Sequence, residues 1–223
     1  MSQQRNVEVK CPHCGRPGTY EVWDSINVDL DPELRAKILN EELFEWKCPH
    51  CGETVFAPYG FIYHDMKHKF MLFYDPDEPE GKDKYEPFQM EPVMQFMEGY
   101  IARPVYGIWN LKEKIFMLEH GLNEIALERV KYMLRHYIVP DMFQELEMFR
   151  FYQIGPDPHM QDNKDYLVFL MKSVKHDHIE TFPIGVSLYE DSLTAVKIDP
   201  RFQNIGAQCI DEEWVAQKLK GVE

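Results

Sequence analysis

The sequence Lys-Cys-Pro-His-Cys-Gly occurs twice, at residues 10–15 and again at residues 47–52, and this repeat determines the fold expected of the N-terminal half. The two copies supply four cysteines: Cys11, Cys14, Cys48 and Cys51. Four thiolates from two such turns can surround one tetrahedral Zn²⁺ at about 2.3 Å. The proline stiffens each turn, and the closing glycine can adopt the positive φ angle that points backbone N–H groups at sulfur. We therefore predict one structural zinc ion, bound by all four cysteines, in a zinc-ribbon-like β domain.

Disulfide bonds and a redox dithiol are the alternative uses of such cysteines. The chain has five cysteines, an odd number, and its polar start does not resemble a signal peptide, so stable disulfides are disfavoured. A thioredoxin-like site needs one Cys-x-x-Cys pair at the start of a helix, whereas here two pairs are each followed by glycine. The fifth cysteine, Cys209, is expected to be a buried thiol. His13 and His50 lie within the turns, and we expect them to face solvent because four thiolates already complete the coordination.

The spacing of the two pairs departs from that of an ordinary zinc ribbon. Thirty-three residues separate Cys14 from Cys48, against about 15–20 in the usual pattern. The excess predicts an inserted helix that begins after Asp31, with Pro32 at its first position and an apolar face. That face contains Leu34, Ile38 and Leu39. Segments 19–25 and 43–47, on either side of the helix, are predicted to be strands.

These residues resemble the CpXC domain family, a group of bacterial and archaeal proteins named for paired Cys-Pro-x-Cys motifs. The likeness covers residues 6–138. Beyond the cysteine turns it rests on five short pieces, at 25–27, 31–34, 63–65, 113–115 and 121–122. The resemblance implies zinc binding and adds no reaction.

Composition and charge exclude some classes of function. The 223-residue chain has a net charge of −14, which disfavours broad contact with nucleic acid or anionic lipid because both are also negative. No run of 18 apolar residues occurs, so no transmembrane helix is expected. We expect a cytoplasmic, globular protein.

Residues 75–98 contain eight acidic and two basic residues with four prolines, which predicts an exposed linker or lid. The alternative for this acidic segment is capture of a basic partner peptide.

The rest of the chain predicts an α+β fold in two domains, 6–138 and 141–223. Two helices follow the acidic linker, the first over 110–121 with Asn110 and Glu113 as a capping box, the second from Asn123 until Pro140. The last part is predicted to be an antiparallel β unit with a terminal helix that Asp211 caps. Its strands are expected at 148–154, 166–174 and 179–189, with a turn at 175–178 and Pro183 on an edge strand or bulge.

Three functions are compatible with this pattern. The first is a non-catalytic zinc protein that presents a surface to a protein partner, since a closed set of thiolates leaves no position for a reacting water. The second is an enzyme whose pocket is lined by Tyr63, His64, Asp65 and His68, because an imidazole oriented by a carboxylate suits acid–base catalysis. The third is nucleic-acid binding through a local basic face on the second helix, formed by Arg129, Lys131, Arg135 and His136. The oligomeric state is not predicted, and no phosphate loop or nucleophile elbow occurs.

Overall fold

The computed structural model describes residues 2–79, 84–87, 98–156, 164–175, 178–203 and 205–220, and it has the predicted α+β architecture. The described residues form two compact units. The first takes its residues from 1–80 and 89–112, and the second takes them from 81–88 and 113–223. This division into units does not test whether 6–138 and 141–223 fold independently, which stays a prediction.

The first unit contains a five-stranded mixed sheet with the strand order β1-β2-β5-β6-β7. The β1–β2 and β5–β6 pairs are antiparallel, whereas β2–β5 and β6–β7 are parallel. The strands of this sheet are β1 (Gln3–Lys10), β2 (Pro17–Asn27), β5 (Phe61–Asp65), β6 (Phe70–Asp75) and β7 (Ile101–Tyr106). A separate two-stranded antiparallel sheet is formed by β3 (Glu45–Lys47) and β4 (Thr54–Phe56). The two cysteine turns therefore belong to different sheets, one turn between β1 and β2 and the other between β3 and β4.

The inserted helix is present as α1, Pro32–Leu39, with proline at its first position as predicted. Leu34 and Ile38 are buried, so the expected apolar face packs into the unit. Asp31 stands at the cap position, but its side chain caps no helix N–H and instead accepts a hydrogen bond from the Ser2 hydroxyl. The helix is followed by a short 3₁₀ turn, Glu42–Phe44, that leads into β3.

The second unit packs helices against a three-stranded antiparallel sheet of order β10-β9-β8. Helix α2 (Ile108–Glu119) begins in the first unit and continues into the second from Glu113. The remaining helices are α3 (Glu124–Met133) with a π-helical extension (Leu134–Ile138), α4 (Pro140–Phe143), α5 (Val186–Ile198) and α6 (Glu212–Lys220). The strands are β8 (Leu146–Pro156), β9 (Asp165–Ser173) and β10 (Ile179–Gly185). Stacked and edge-on phenylalanines join the strands of the sheet, with the Phe149 and Phe169 ring centroids 4.6 Å apart.

Two local predictions for the second half are wrong. The capping box is absent, because α2 already begins at Ile108 and the Asn110 amide donates to the Tyr106 carbonyl over 2.7 Å. The strand expected over 179–189 ends at Gly185, and a 13-residue helix, α5, begins at the next residue. Its buried positions, Tyr189, Ser192 and Val196, lie three and four residues apart, which is a helical spacing, but the valine and aromatic residues of this segment favoured a strand.

Other predictions for this half are confirmed. Helix α3 begins directly after Asn123 as predicted, with Asn123 accepting from the Ala126 N–H at 2.9 Å, and Asp211 caps α6 by accepting from the Trp214 N–H at 2.8 Å. Pro183 lies on β10, an edge strand of the three-stranded sheet.

Most of the acidic linker, residues 80–83 and 88–97, lies outside the described residues, as do His176 and the 221–223 terminus. No helix in the described part of the chain has the length and apolar character needed to cross a membrane.

Candidate metal centre

The two cysteine turns bring four sulfur atoms together in the first unit, where all four lie within 4.8 Å of one another. Across the turns, the Cys11 and Cys51 sulfurs are 3.7 Å apart and the Cys14 and Cys48 sulfurs are 3.8 Å apart. None of the four is in a disulfide. A tetrahedral zinc ion with zinc–sulfur bonds of about 2.3 Å would separate its ligands by about 3.8 Å. The donor set and its spacing therefore fit one tetrahedral metal ion.

The backbone of the two turns is nearly identical, as expected from the sequence repeat. In the first turn the Gly15 N–H donates to the Cys11 carbonyl at 2.9 Å, and in the second the Gly52 N–H donates to the Cys48 carbonyl at 3.0 Å. Both glycines have the predicted positive φ, 72° and 78° respectively. This conformation closes each turn so that both of its cysteine side chains point to the same side.

The electrostatics of the second turn indicate what a cation bound among the four sulfurs would do. Desolvation disfavours the Cys48 thiolate, but the N–H groups of Cys51 and His50 outweigh it and lower the pKa of Cys48 to about 6. The Glu53 N–H favours the Cys51 thiolate, yet desolvation and the three neighbouring cysteines raise the pKa of Cys51 to about 12. One thiolate in the cluster thus opposes the ionisation of the next, and a bound divalent cation would remove that opposition.

A small apolar layer supports the cysteine cluster from beneath. Cys11 and Cys48 are buried with Tyr20, Val22 and Trp46, whereas Cys14 and Cys51 are exposed. The cluster therefore has an inner pair of sulfurs fixed by packing and an outer pair at the surface.

The histidines of the turns lie outside the sulfur cluster. His13 and His50 are both exposed, and a ring nitrogen of His50 lies 2.9 Å from the Pro17 carbonyl oxygen, which links the second turn to the start of β2. The group of residues able to hold a metal contains the four cysteines and neither histidine. No other such group of three or more metal-binding side chains occurs among the described residues.

The four residues of the predicted enzyme pocket do not form one site. Asp65 is buried and holds His68, with its two oxygens 2.7 Å from the His68 backbone N and ring Nδ1. This pair closes the hairpin between β5 and β6. His64 lies on the opposite face of β5, between Asn27 and Tyr100, because successive side chains of a strand alternate. Desolvation lowers the pKa of His64.

The basic face predicted on the second helix is reduced by ion pairs. Lys131 is buried and lies within ion-pair distance of Glu113 and Glu128. Arg135 forms an ion pair with Glu212, and Arg129 donates to the Ser192 hydroxyl at 3.0 Å. His136 is exposed. Lys131 and Arg135 are thus ion-paired within the second unit, so the face does not present four unpaired cations, and nucleic-acid binding stays a hypothesis.

The second unit contains a buried ionic network that was not predicted from the sequence. Lys131 Nζ lies 3.0 Å from each oxygen of Glu113 and 2.7 Å from Glu128, and Lys114 Nζ lies 2.9 Å from Glu124. Side-chain exposure is 6% or less for all five residues. Arg150, at 3.6 Å from Glu113, joins the network from the surface. The signal in the sequence was the Glu-Lys pair at 113–114, directly before the apolar run 115–118 of the same helix.

The charges of this network are balanced and stabilise one another. Burial opposes ionisation of Glu113, but Lys131, Arg150 and the Phe151 N–H outweigh it and lower the pKa of that carboxyl. Burial likewise opposes charge on Lys131, and the facing carboxylates of Glu113 and Glu128 raise its pKa. Glu128 is the exception, because desolvation dominates and raises its pKa to about 7. The fifth cysteine, Cys209, is buried as predicted, and burial raises the pKa of its thiol to about 12.

Comparison with known proteins agrees with the cysteine turns. A family model described as CpXC protein matches residues 9–131, which is more than half of the chain and includes both turns. The chain belongs to the CpXC protein family. The CpXC match extends beyond the metal centre through α2 and most of α3, so it also covers the glutamates and lysines of the buried network. No curated protein and no solved structure matches the chain.

Proposed function

We propose that this CpXC protein binds one zinc ion through Cys11, Cys14, Cys48 and Cys51, and that the ion has a structural role. The observation that carries the proposal is the approach of four sulfurs from two turns, 34 residues apart between Cys14 and Cys48, to a tetrahedral spacing. Thiolates alone suit zinc better than magnesium or calcium, which prefer oxygen ligands. Four protein ligands fill a tetrahedral site, so no coordination position is left for water or substrate.

The consequence of binding would be folding free energy rather than a reaction. The turns lie in separate sheets, and in zinc peptides such a site contributes on the order of 10 kcal/mol. A metal at this position would join the β1–β2 pair to the β3–β4 pair. Without it, the small layer around Trp46 would have to hold the two sheets together.

The proposal predicts that the protein as purified without a tag contains one zinc per chain by elemental mass spectrometry. Removal of the metal with a strong chelator should lower the melting temperature and loosen the first unit. Cys11→Ser and Cys48→Ser should lose metal equally, because each removes one ligand of the same ion. Cys209→Ala is the matched control and should keep its metal. An unchanged melting temperature after complete removal of zinc would contradict a structural role.

We also propose that the metal-held unit presents a surface to a protein partner. Support comes from Phe56 on β4, which is 51% exposed although it lies next to the cluster-bearing turn and contacts Phe44 edge-on. Aromatic side chains, phenylalanine included, are enriched in protein–protein interfaces. A photo-crosslinking residue at position 56 should capture one protein in cells, and Cys11→Ser should abolish the adduct. The exposed Leu30 is the control position. Equal capture at positions 30 and 56 would argue against this surface.

A further inference from the structure

A short segment of the acidic linker is docked on the second unit. Residues 84–87, Lys-Tyr-Glu-Pro, contact the chain just before and within the first turn of α6, more than 120 positions away. The stretches that precede and follow this segment in sequence, up to residue 80 and from residue 89, belong to the first unit, whereas the segment itself belongs to the second. The contacts are therefore those of an inserted peptide seated on another part of the chain.

The residues against which this segment packs hold Lys84 through its charge. The Lys84 ammonium lies 2.8 Å from Asp211, and only 10% of its side chain is exposed. The same ammonium lies 5.3 Å from the centre of the Tyr85 ring, so the two side chains of the segment stack on each other. A lysine loses hydration when it is buried to this extent, and the facing carboxylate offsets that loss. Burial opposes ionisation of Asp211, but its hydrogen bonds to Lys84 and to the Trp214 N–H outweigh this and lower the pKa of the Asp211 carboxyl.

Tyr85 and Pro87 add contacts that a cation alone would not make. The Tyr85 hydroxyl donates to Glu213 over 2.9 Å, and its ring packs against the core of the second unit. The Gln208 amide can donate to the Tyr85 carbonyl at 3.3 Å while it accepts from the Trp214 indole at 3.0 Å. Gly206 lies beside Pro87, where a β-carbon on the glycine would be at an ordinary contact distance of 3.4 Å.

We propose that this seat, formed by Gly206, Gln208, Asp211 and Glu213, is a binding site for a partner segment with a cation directly before a tyrosine, and that Lys84–Tyr85 occupies it as an intramolecular ligand. The seat contacts the ammonium of one residue and the ring and hydroxyl of the next. These contacts are enough to select a lysine–tyrosine dipeptide. Its residues lie in the second unit, so this inference does not rest on the zinc site.

Because residues 84–87 already occupy the seat, they determine the affinity that a partner needs to displace them. A short tether gives its ligand an effective concentration of about a millimolar, so a free Lys-Tyr peptide competes poorly with residues 84–87. A partner must add contacts around the seat to displace the segment. The state of the seat can be followed at Cys209, which is 6% exposed and close enough to Lys84 for that cation to favour its thiolate.

The test uses the full chain with Lys84→Ala and Tyr85→Ala combined, and a fluorescent octapeptide of residues 81–88 as the probe. The peptide should bind the double variant at least tenfold more tightly than the wild-type chain, by fluorescence anisotropy. The same peptide with Lys84 changed to Glu should not bind. Adding Glu213→Gln to the double variant should weaken the binding severalfold, while Asp211 is left intact because it caps α6.

Thiol labelling supplies the second measurement. Iodoacetamide should label Cys209 faster in the double variant than in the wild type, and the octapeptide should restore protection. If the double variant does not fold, Lys84→Gln with Tyr85→Phe removes the polar contacts while it keeps the packing, and tighter peptide binding than in the wild type is again expected. A folded variant to which the octapeptide does not bind, or binds as weakly as the Glu-containing peptide, would overturn the proposal and leave the segment with a purely structural role.

Discussion

The indole N–H of Trp46 donates to the carbonyl oxygen of Thr19 over 2.9 Å, and this bond links the strand before the second cysteine turn to the strand after the first. The ring can reach Thr19 because Gly18 has no side chain, since a β-carbon there would lie 2.6 Å from Trp46 Cζ2. Trp46 is also buried against Cys11 and Cys48. Trp46 thus contributes to the spacing of the two turns, together with the contact of His50 with the Pro17 carbonyl oxygen.

This relationship predicts the effect of Gly18→Ala. The added methyl group must displace the Trp46 ring, which costs about 1–3 kcal/mol in a packed site. Because the ring also positions the turns, we expect weaker zinc binding together with a lower melting temperature. Competition with a chromogenic chelator and thermal unfolding measure the two effects. Gly155→Ala is the control, because a β-carbon there has open space and an ordinary φ. Equal behaviour of the two variants would contradict the role assigned to Gly18.

The positive φ at Gly52 leads to a prediction about the metal centre alone. A β-carbon at this position meets no atom within 4 Å, so Gly52→Ala would be opposed by backbone strain and not by a clash. That strain is worth about 1–2 kcal/mol. Gly52→Asn should be milder than Gly52→Ala, because asparagine tolerates the left-handed conformation better. Chelator competition should rank the zinc affinities as glycine, then asparagine, then alanine. A ranking that follows side-chain size instead would indicate a steric cause.

The four-cysteine cluster was predictable because its signal is local. A repeated six-residue motif contains the ligands, the stiffening proline and the glycine that needs a positive φ. Helix α1 was equally accessible, since Pro32 and the buried Leu34 and Ile38 follow helical rules within eight residues. In both cases neighbours along the chain carry the information.

The features that escaped prediction depend on distant contacts. Glu113 fits a capping box by spacing, yet it binds Lys131 and the Phe151 N–H, 18 and 38 positions away. Helix α5 begins with Val186 directly after a strand, and its tertiary packing outweighs the β propensity of its residues. The ion pair between Lys84 and Asp211 joins residues that are far apart along the chain, and no periodic pattern in the sequence relates them.

The buried network predicts that Lys131→Met is strongly destabilising. Removal of this ammonium leaves the carboxylates of Glu113 and Glu128 without their nearest cation in the interior of the second unit. Breaking a buried ion pair on one side costs about 3–5 kcal/mol, far more than loss of a surface charge. Urea unfolding monitored by circular dichroism measures the change. Lys197→Met on the exposed side of α5 is the matched control and should change stability by less than about 0.5 kcal/mol. A similar small effect at Lys131 would mean that the network contributes little.

The raised pKa of Glu128 predicts an unusual dependence of stability on pH. The folded-state pKa of Glu128 is about 7, against 4.5 for a solvent-exposed glutamate in the unfolded chain, so between these pH values the folded protein holds a proton that the unfolded chain releases. The free energy of unfolding should therefore increase as pH falls from about 7 to 4.5, by no more than about 3 kcal/mol from this residue. His64 acts in the opposite direction, since its lowered pKa costs stability as pH falls.

The Glu128 contribution is isolated by comparing the wild type with Glu128→Gln across this pH range. Glutamine cannot ionise, so the increase in stability on acidification should be smaller in the variant, and the difference between the two curves should follow one proton with a midpoint near the folded pKa. The neighbours Lys131, Lys114 and Glu113 stay the same in both proteins and cancel to first order. Parallel curves for the two proteins would show that Glu128 is ionised in the folded state throughout, with Lys131 and Lys114 outweighing the desolvation.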